Sequence, residues 1–507
     1  MIDRLDVRSV RLPAMILLAA GGLWLVLQQL AELGMLTIFP PLAVLLAVGL
    51  VIARYPWTSF AMLVMTVPFQ RLGSEGTVLP VTLTQLMFPI AVAGCLVALF
   101  AERRRARGHV TLLPFALLIA IMVASSFRAS SPGDAWPEIA RWVVAFVAMW
   151  IALQFVVGSS ERRLIGFVAL LAAGGVFEST IGVVQSVIGF GPFEVSSGVS
   201  RAFGTFGRPN SYAGYLEMTL FPTVALTIWY AKESLERYRI YATERLQGMA
   251  ASRKARLSLA RAVIALIAFS GSAVVILSGV AASLSRGAWL GVAFGAFATA
   301  MLLGPVVRLI GITAAFFGAA FLLGGQAGFV PESYQERISE SINQFGKTEA
   351  SNVPITADNF ATLERLAHWQ TGLNMYRDHP ALGVGVGNFN PRFEEYSIRE
   401  EFRISQGHAH NYYIHTLAET GLIGLLLYLS LLLSIIFIAL RVLLARTAQG
   451  TLARMIVLGA FGSIIAVATH NLFENLHVLN LGIVISLLWA LVIAGHELWR
   501  DRELQPV

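Results

Sequence analysis

Apolar positions along this chain come in long uninterrupted blocks, not in the short stripes of an amphipathic soluble helix. Blocks of about 20 mostly apolar residues, the length a helix needs to cross a bilayer, recur from the N-terminus to the C-terminus. The candidates are 12–30, 36–53, 57–69, 81–100, 110–127, 138–157, 164–189, 210–230, 259–281, 288–304, 308–325, 412–440, 453–473 and 477–497. The third is short and reads as re-entrant or as part of a neighbour. The pattern predicts an all-α polytopic membrane protein of roughly 12–14 transmembrane helices. The first block follows Arg4, Arg8 and Arg11, as a signal peptide would. With so many spans behind it, it reads as an uncleaved first helix.

Composition agrees. Of 507 residues, 56% are hydrophobic and only 13% charged, and the mean hydropathy is +0.69. A soluble domain carries roughly a quarter charged residues. Cys95 is the single cysteine, so an intrachain disulfide and a thiolate-rich metal site are both excluded. A net charge of +7 would point to nucleic acid in a soluble protein. Here the basic residues sit in loops that alternate with spans: 101–108, 161–163, 231–258, 441–454 and the Arg500/Arg502 tail. All fall on one side, which the positive-inside rule makes the cytoplasm. No nucleic-acid partner is expected. The other side, taken as the periplasm of a Gram-negative cell, receives loops 70–80, 128–137, 190–209, 282–287, 326–411 and 471–476.

Three parts follow: an N-terminal transmembrane bundle, 1–325; a large loop subdomain, 326–411; and C-terminal helices with a cytoplasmic tail, 412–507. Two stretches of the loop, PESYQERISESINQFG and NFATLERLAHWQTGLNMYRDHP, space their apolar residues as helices do. The loop is therefore expected to be mostly helical.

Three arginines break the orientation rule. Arg201 and Arg208 lie in SRAFGTFGRPNSYAGYLE, and Arg286 lies in the short turn SLSRGAWLG. A charge near the bilayer costs several kcal/mol unless it is paired or faces a wet cavity. Glu194 and Glu217 are the acids nearest in sequence. Carboxylate pairing or snorkelling would make these arginines structural. An anion site is the functional alternative, because a guanidinium grips phosphate oxygens bidentately.

On the same side runs GHAHNYYIHTLAETG, 407–421, which leads into an apolar helix. His408 and His410 flank one alanine, and in extended backbone they point the same way. Imidazole is a common zinc ligand, but neither HxxxH spacing nor an Asp cluster accompanies the pair, so no metal is assigned. His410 as a helix cap is the structural alternative, and His410 as a general base the chemical one, since an imidazole of ordinary pKa near 6.5 accepts a proton at neutral pH. GVGVGNF, 383–389, superficially resembles a nucleotide loop, but lacks the lysine and the GxGxxG spacing. It reads as a turn, with no nucleotide partner.

Together these segments resemble the O-antigen ligase family and its superfamily of O-antigen polymerases and bacterial O-oligosaccharyltransferases. The resemblance rests on His410–Asn411 followed by GLIG at Gly421–Gly424, and on RAFGTFGRPNSYAGYL, LSRGAWLG and LGVGVGNFNP in the same order. It implies an inverting, metal-independent glycosyltransferase of the inner membrane, active at the periplasmic face and without a cofactor. It would move O-antigen polysaccharide from undecaprenyl diphosphate to the lipid A–core oligosaccharide. The family's essential histidine falls on His410, and its arginines on Arg208 and Arg286, with Arg201 third. His408, Asn411, Tyr412 and Asn210 are expected to orient the base or bind sugar hydroxyls. O-antigen polymerase and protein O-oligosaccharyltransferase are the near alternatives. A lipid-linked oligosaccharide transporter is the distant one, disfavoured because the charges cluster at one face.

Overall fold

A computed structural model describes residues 39–69, 82–192, 199–247, 252–324, 354–355, 360–405 and 407–503. The expected first span, 12–30, and the loop segment PESYQERISESINQFG lie outside the described residues. Among those described, every regular element is a helix: α1 (Phe39–Arg54), α2 (Trp57–Thr66), α3 (Leu83–Ala101), α4 (Leu112–Ser126), α5 (Pro132–Val156), α6 (Glu161–Ile188), α7 (Pro209–Leu246), α8 (Arg253–Ala282), α9 (Arg286–Leu303), α10 (Pro305–Gly324), α11 (Phe360–Asp378), α12 (Phe393–Tyr396), a 3₁₀ turn at Glu400–Phe402, α13 (Tyr412–Leu444), α14 (Leu452–His470) and α15 (Leu481–Glu503).

Eight of these are long and apolar enough to cross a membrane: α3, α5, α6, α8, α9, α13, α14 and α15. The chain is an all-α polytopic membrane protein. The segment expected to be re-entrant, α2, joins α1 at a bend of 119° across Tyr55–Pro56; proline cannot continue the preceding helix's hydrogen bonding. Helices α4, α7 and α10 occupy the other expected spans among the described residues. α7 has 38 residues, roughly 57 Å at 1.5 Å per residue, nearly twice a hydrocarbon core. Its first half is buried and its second half is charged, with Arg237 paired to Glu233. It therefore projects beyond the membrane on the face of the basic loops.

The core is built around α14 and α15, each 83% buried over its apolar window, whereas α8 and α9 are 22% buried and turn their Ile, Val and Phe side chains outward. Lipid tails are as apolar as leucine, so helices here associate by close contact, not by hydrophobic exclusion. Gly459 and Gly462 let α14 approach the Phe221–Pro222 region of α7, where an added Cβ would lie 2.6–2.7 Å from its neighbours.

At the face away from the basic loops, α13 breaks at Gly421, whose φ of 67° and ψ of −168° suit glycine alone. The break frees carbonyls of the preceding turn. GVGVGNF fills it: Val384 N–H donates to Ala418 O at 2.9 Å, Gly385 N–H to Glu419 O at 3.1 Å and Phe389 N–H to Glu419 Oε1 at 3.0 Å. Ser125 of α4 donates to Glu419 O at 2.6 Å and accepts from Val386 N–H at 3.0 Å. The glycine-rich turn is thus a splint for a broken helix, and its amides are spent on protein acceptors.

Candidate active site

Two arginine-bearing segments meet at this face. The stretch 200–208 is pinned from below by α6: Gln185 Oε1 accepts from Phe203 and Gly204 N–H, and Glu178 accepts from both the N–H and the hydroxyl of Thr205. It is pinned from the side by the α8–α9 turn. Ala202 N–H donates to Ala282 O at 2.9 Å, and Arg201 Nε donates to Ser283 O at 3.0 Å. A narrow polar cleft results, lined by Arg201, Asn210, Ser285, Arg286, Arg365 and His470 among others. Three guanidiniums on one cleft form an anion site in chemical terms.

The weighting of the arginines changes. Arg201 and Arg286 share the cleft. Arg208 is the N-cap residue of α7, exposed, and its charge acts on His408 instead. Glu217 does not serve an arginine. It is fully buried and holds His470 Nδ1 at 3.2 Å, directly under Gly287, where a Cβ would touch the imidazole. Glu194 lies outside the described residues.

A chain of polar contacts runs from the cleft to the histidines. Arg201 Nη2 donates to Asn210 Oδ1 at 3.2 Å, and Asn210 Nδ2 donates to Glu474 Oε2. Glu474 Oε1 accepts from Asn475 N–H at 3.1 Å and lies 3.1 Å from His408 Nε2 and 3.9 Å from His410 Nδ1. His410 N–H donates to His408 Nδ1 at 3.1 Å. That bond requires a bare Nδ1, so neutral His408 carries its proton on Nε2, the nitrogen that lies 3.1 Å from Glu474.

His410 is different. Both ring nitrogens are buried without a hydrogen-bond partner among the described residues, an arrangement native proteins rarely leave unexplained. Its φ of +50° is left-handed, uncommon for a side chain with a Cβ. Four of the five non-glycine residues with positive φ among the described residues, Leu284, His410, Leu479 and Asn480, belong to this face. Backbone strain of this kind collects at functional sites. Burial lowers the His410 pKa to about 3, opposed by Glu474 and reinforced by His408, Arg365 and His368. Burial also pushes Glu474 up, but His408, His410 and Arg365 outweigh it and hold the carboxyl down at about 2. At neutral pH the site is a neutral imidazole beside a carboxylate.

The remaining expected residues divide. Asn210 links the cleft to Glu474, and His408 orients on the same carboxylate. Asn411, not His410, is the helix cap: its Oδ1 accepts from Tyr413 and Ile414 N–H at 3.0 and 3.1 Å. Tyr412 is fully packed among Trp142, Tyr428 and His477, away from the cleft. In this arrangement Asn411 Oδ1 serves the helix and Tyr412 serves an aromatic cluster beside the histidines. His415 lies 3.6 Å from Glu419 and packs on Phe389.

Glu474 and Arg365 are absent from the sequence reading. Glu474 was findable: like Arg286, it is a charge in a short turn between apolar spans. Arg365 was not, since a charged residue on a loop helix looks like any solvated one. Glu474 also completes a three-group set, His408, His410 and Glu474, whose ligand atoms lie within 4.8 Å of one another. The chain spacing hid it. The tautomer of His408 argues against metal ligation in this arrangement, because Nε2 is protonated and Nδ1 already accepts.

Residues 271–429 match the family model described as O-Antigen ligase. That region of the chain is similar to the O-antigen ligase family. The matched region carries Arg286, Arg365, His408, His410 and the break at Gly421, while Arg201, Asn210 and His470 reach the cleft from outside it and Glu474 joins through Asn210. The likeness to the O-antigen ligase family points to enzymes that work on lipid-linked glycans in a membrane. No curated protein matches the chain.

Proposed function

We propose that the chain is an O-antigen ligase: an inverting, metal-independent glycosyltransferase that moves O-antigen polysaccharide from undecaprenyl diphosphate to the lipid A–core oligosaccharide. It acts at the periplasmic face of a Gram-negative inner membrane. The observation that carries this reading is the continuous link from Arg201 through Asn210 and Glu474 to the histidine pair, with an unpartnered His410 at its end.

The chemistry follows from that link. The donor stores its energy in the sugar–diphosphate bond, so no nucleotide is required. Arg201, Arg286 and Arg365 offset the charge that develops on the departing diphosphate, an electrostatic contribution greatest in the transition state. The acceptor hydroxyl attacks the anomeric carbon from the opposite side. Its proton passes to His410 as the carbon–oxygen bond to diphosphate breaks, with the bonding pair leaving on the diphosphate. Nδ1 of His410 faces Glu474, which leaves Nε2 to take the proton. The carboxylate and the bound diphosphate both favour the imidazolium as it forms, restoring the basicity that burial removes. Arg208, exposed beside the histidines, suits an outer contact to the donor or the acceptor.

Reconstitution with purified lipid-linked glycan and two acceptors tests the assignment. Product on lipid A–core is expected. Elongation on the carrier would make the protein a polymerase, and product on a protein hydroxyl an O-oligosaccharyltransferase.

A further inference from the structure

A second polar cavity, of about 370 Å³, lies at the opposite end of the bundle. Its walls are the loop after α3 (Arg107, Gly108, His109), the end of α5 (Leu153, Val157, Gly158) and the end of α15 (Ile493, Glu497, Arg500, Asp501). α5 has 25 residues, so this end is roughly 37 Å from the site described above. It cannot take part in that chemistry.

The cavity is built around one guanidinium. Gln154, buried inside α5, accepts from Arg107 N–H at 2.8 Å and donates to Arg107 O at 2.9 Å, which fixes the backbone. The side chain then lies on Gly158, whose φ is +63° and where a Cβ would meet both Nη atoms at 2.7 Å. Arg107 Nη1 is buried without a hydrogen-bond partner, and no carboxylate among the described residues is within ion-pair distance of it. On the facing wall the charges are matched: Arg500 pairs with Glu497 at 2.6 Å. Asp501 is left exposed at the rim with no ion pair among the described residues. His109 adds a donor. Thr111 N–H donates to its Nδ1 at 3.3 Å, so the ring carries its proton on Nε2.

A guanidinium nitrogen buried without a hydrogen-bond partner is costly. It sits at the end of the bundle that bears the basic loops, where basic pockets between helices take lipid phosphates. Leu153, Val157 and Ile493 provide an apolar wall that a soluble anion would not use. We propose that this cavity binds the head group of a zwitterionic, ethanolamine-type phospholipid, with the phosphate on Arg107 and His109 and the ammonium on Asp501.

Native mass spectrometry of the delipidated full-length chain tests this, with phosphatidylethanolamine, phosphatidylglycerol and inorganic phosphate as probes. One phosphatidylethanolamine per chain is expected, bound about tenfold better than phosphatidylglycerol, the equivalent of one modest charge-assisted contact. Arg107→Gln should release both lipids. Asp501→Asn, an exposed change that leaves the fold alone, should abolish only the preference between them. Equal retention by wild type and Arg107→Gln overturns the site. A phosphatidylglycerol preference, or one that Asp501→Asn leaves intact, overturns the ammonium assignment. Displacement of the lipid by millimolar inorganic phosphate would assign a soluble phosphate site instead.

Discussion

His408 Nε2 lies 3.1 Å from Glu474 Oε1, which brings the loop before α13 against the turn between α14 and α15. A neutral histidine, with its tautomer fixed by the neighbouring amide, holds the carboxylate that also faces His410. Glu474→Gln keeps the size and removes the charge. It should lower kcat about 10- to 100-fold with little change in donor KM, since it acts on the imidazolium of the transition state. Glu474→Asp should restore part of the loss. His410→Ala should abolish transfer in a protein that still inserts and elutes as wild type. Near wild-type turnover by Glu474→Gln would remove the carboxylate from the scheme.

The arginines should rank by the cleft they line, not by their exposure. Arg201→Lys and Arg286→Lys should each cost on the order of 10²–10³-fold in kcat/KM, because a point charge does not replace a planar fork. Arg208→Lys should cost far less. Single-turnover assays with lipid-linked donor measure this order directly, and a larger loss at Arg208 than at Arg201 would contradict it.

Acid affects the site in a direction that follows from burial. His410 is held near 3 against an ordinary 6.5, so the free enzyme keeps a neutral base throughout the physiological range. The acid limb of kcat/KM should therefore lie well below pH 6.5, and a midpoint there would refute a desolvated His410. Stability should move the same way. Between those two values the unfolded chain binds a proton that the folded chain does not, so stability is full above 6.5 and falls as pH drops. At pH 5 this amounts to about 2 kcal/mol for His410 alone. His477, held down to about 3 by burial, adds to the loss. Thermal unfolding in detergent at pH 7 and pH 5 reads it.

Chelation separates the base from a metal ligand. Full transfer after EDTA treatment is expected, because the protonated His408 Nε2 leaves the three-group set one ligand short. Loss on EDTA and recovery on added zinc would reassign His408, His410 and Glu474 as ligands.

Much of this was legible in the chain. Long apolar blocks fix membrane helices because an unpaired backbone amide in lipid costs several kcal/mol, so composition and length alone dictate the element. The arginines at 201, 208 and 286 and the histidine at 410 stood out for the same reason: each is a polar group where the solvent punishes polarity. What the chain concealed is pairing. Glu474 lies far along the sequence from His408, Asn411 looks as chemical as its neighbour until its oxygen is found capping α13, and GVGVGNF gave no sign that it mends a helix at Gly421. Hydropathy measures each residue against the bilayer one position at a time. A catalytic arrangement depends on distances of about 3 Å between groups on different helices, and those distances exist only once α6, α7, α8, α13 and α14 have packed.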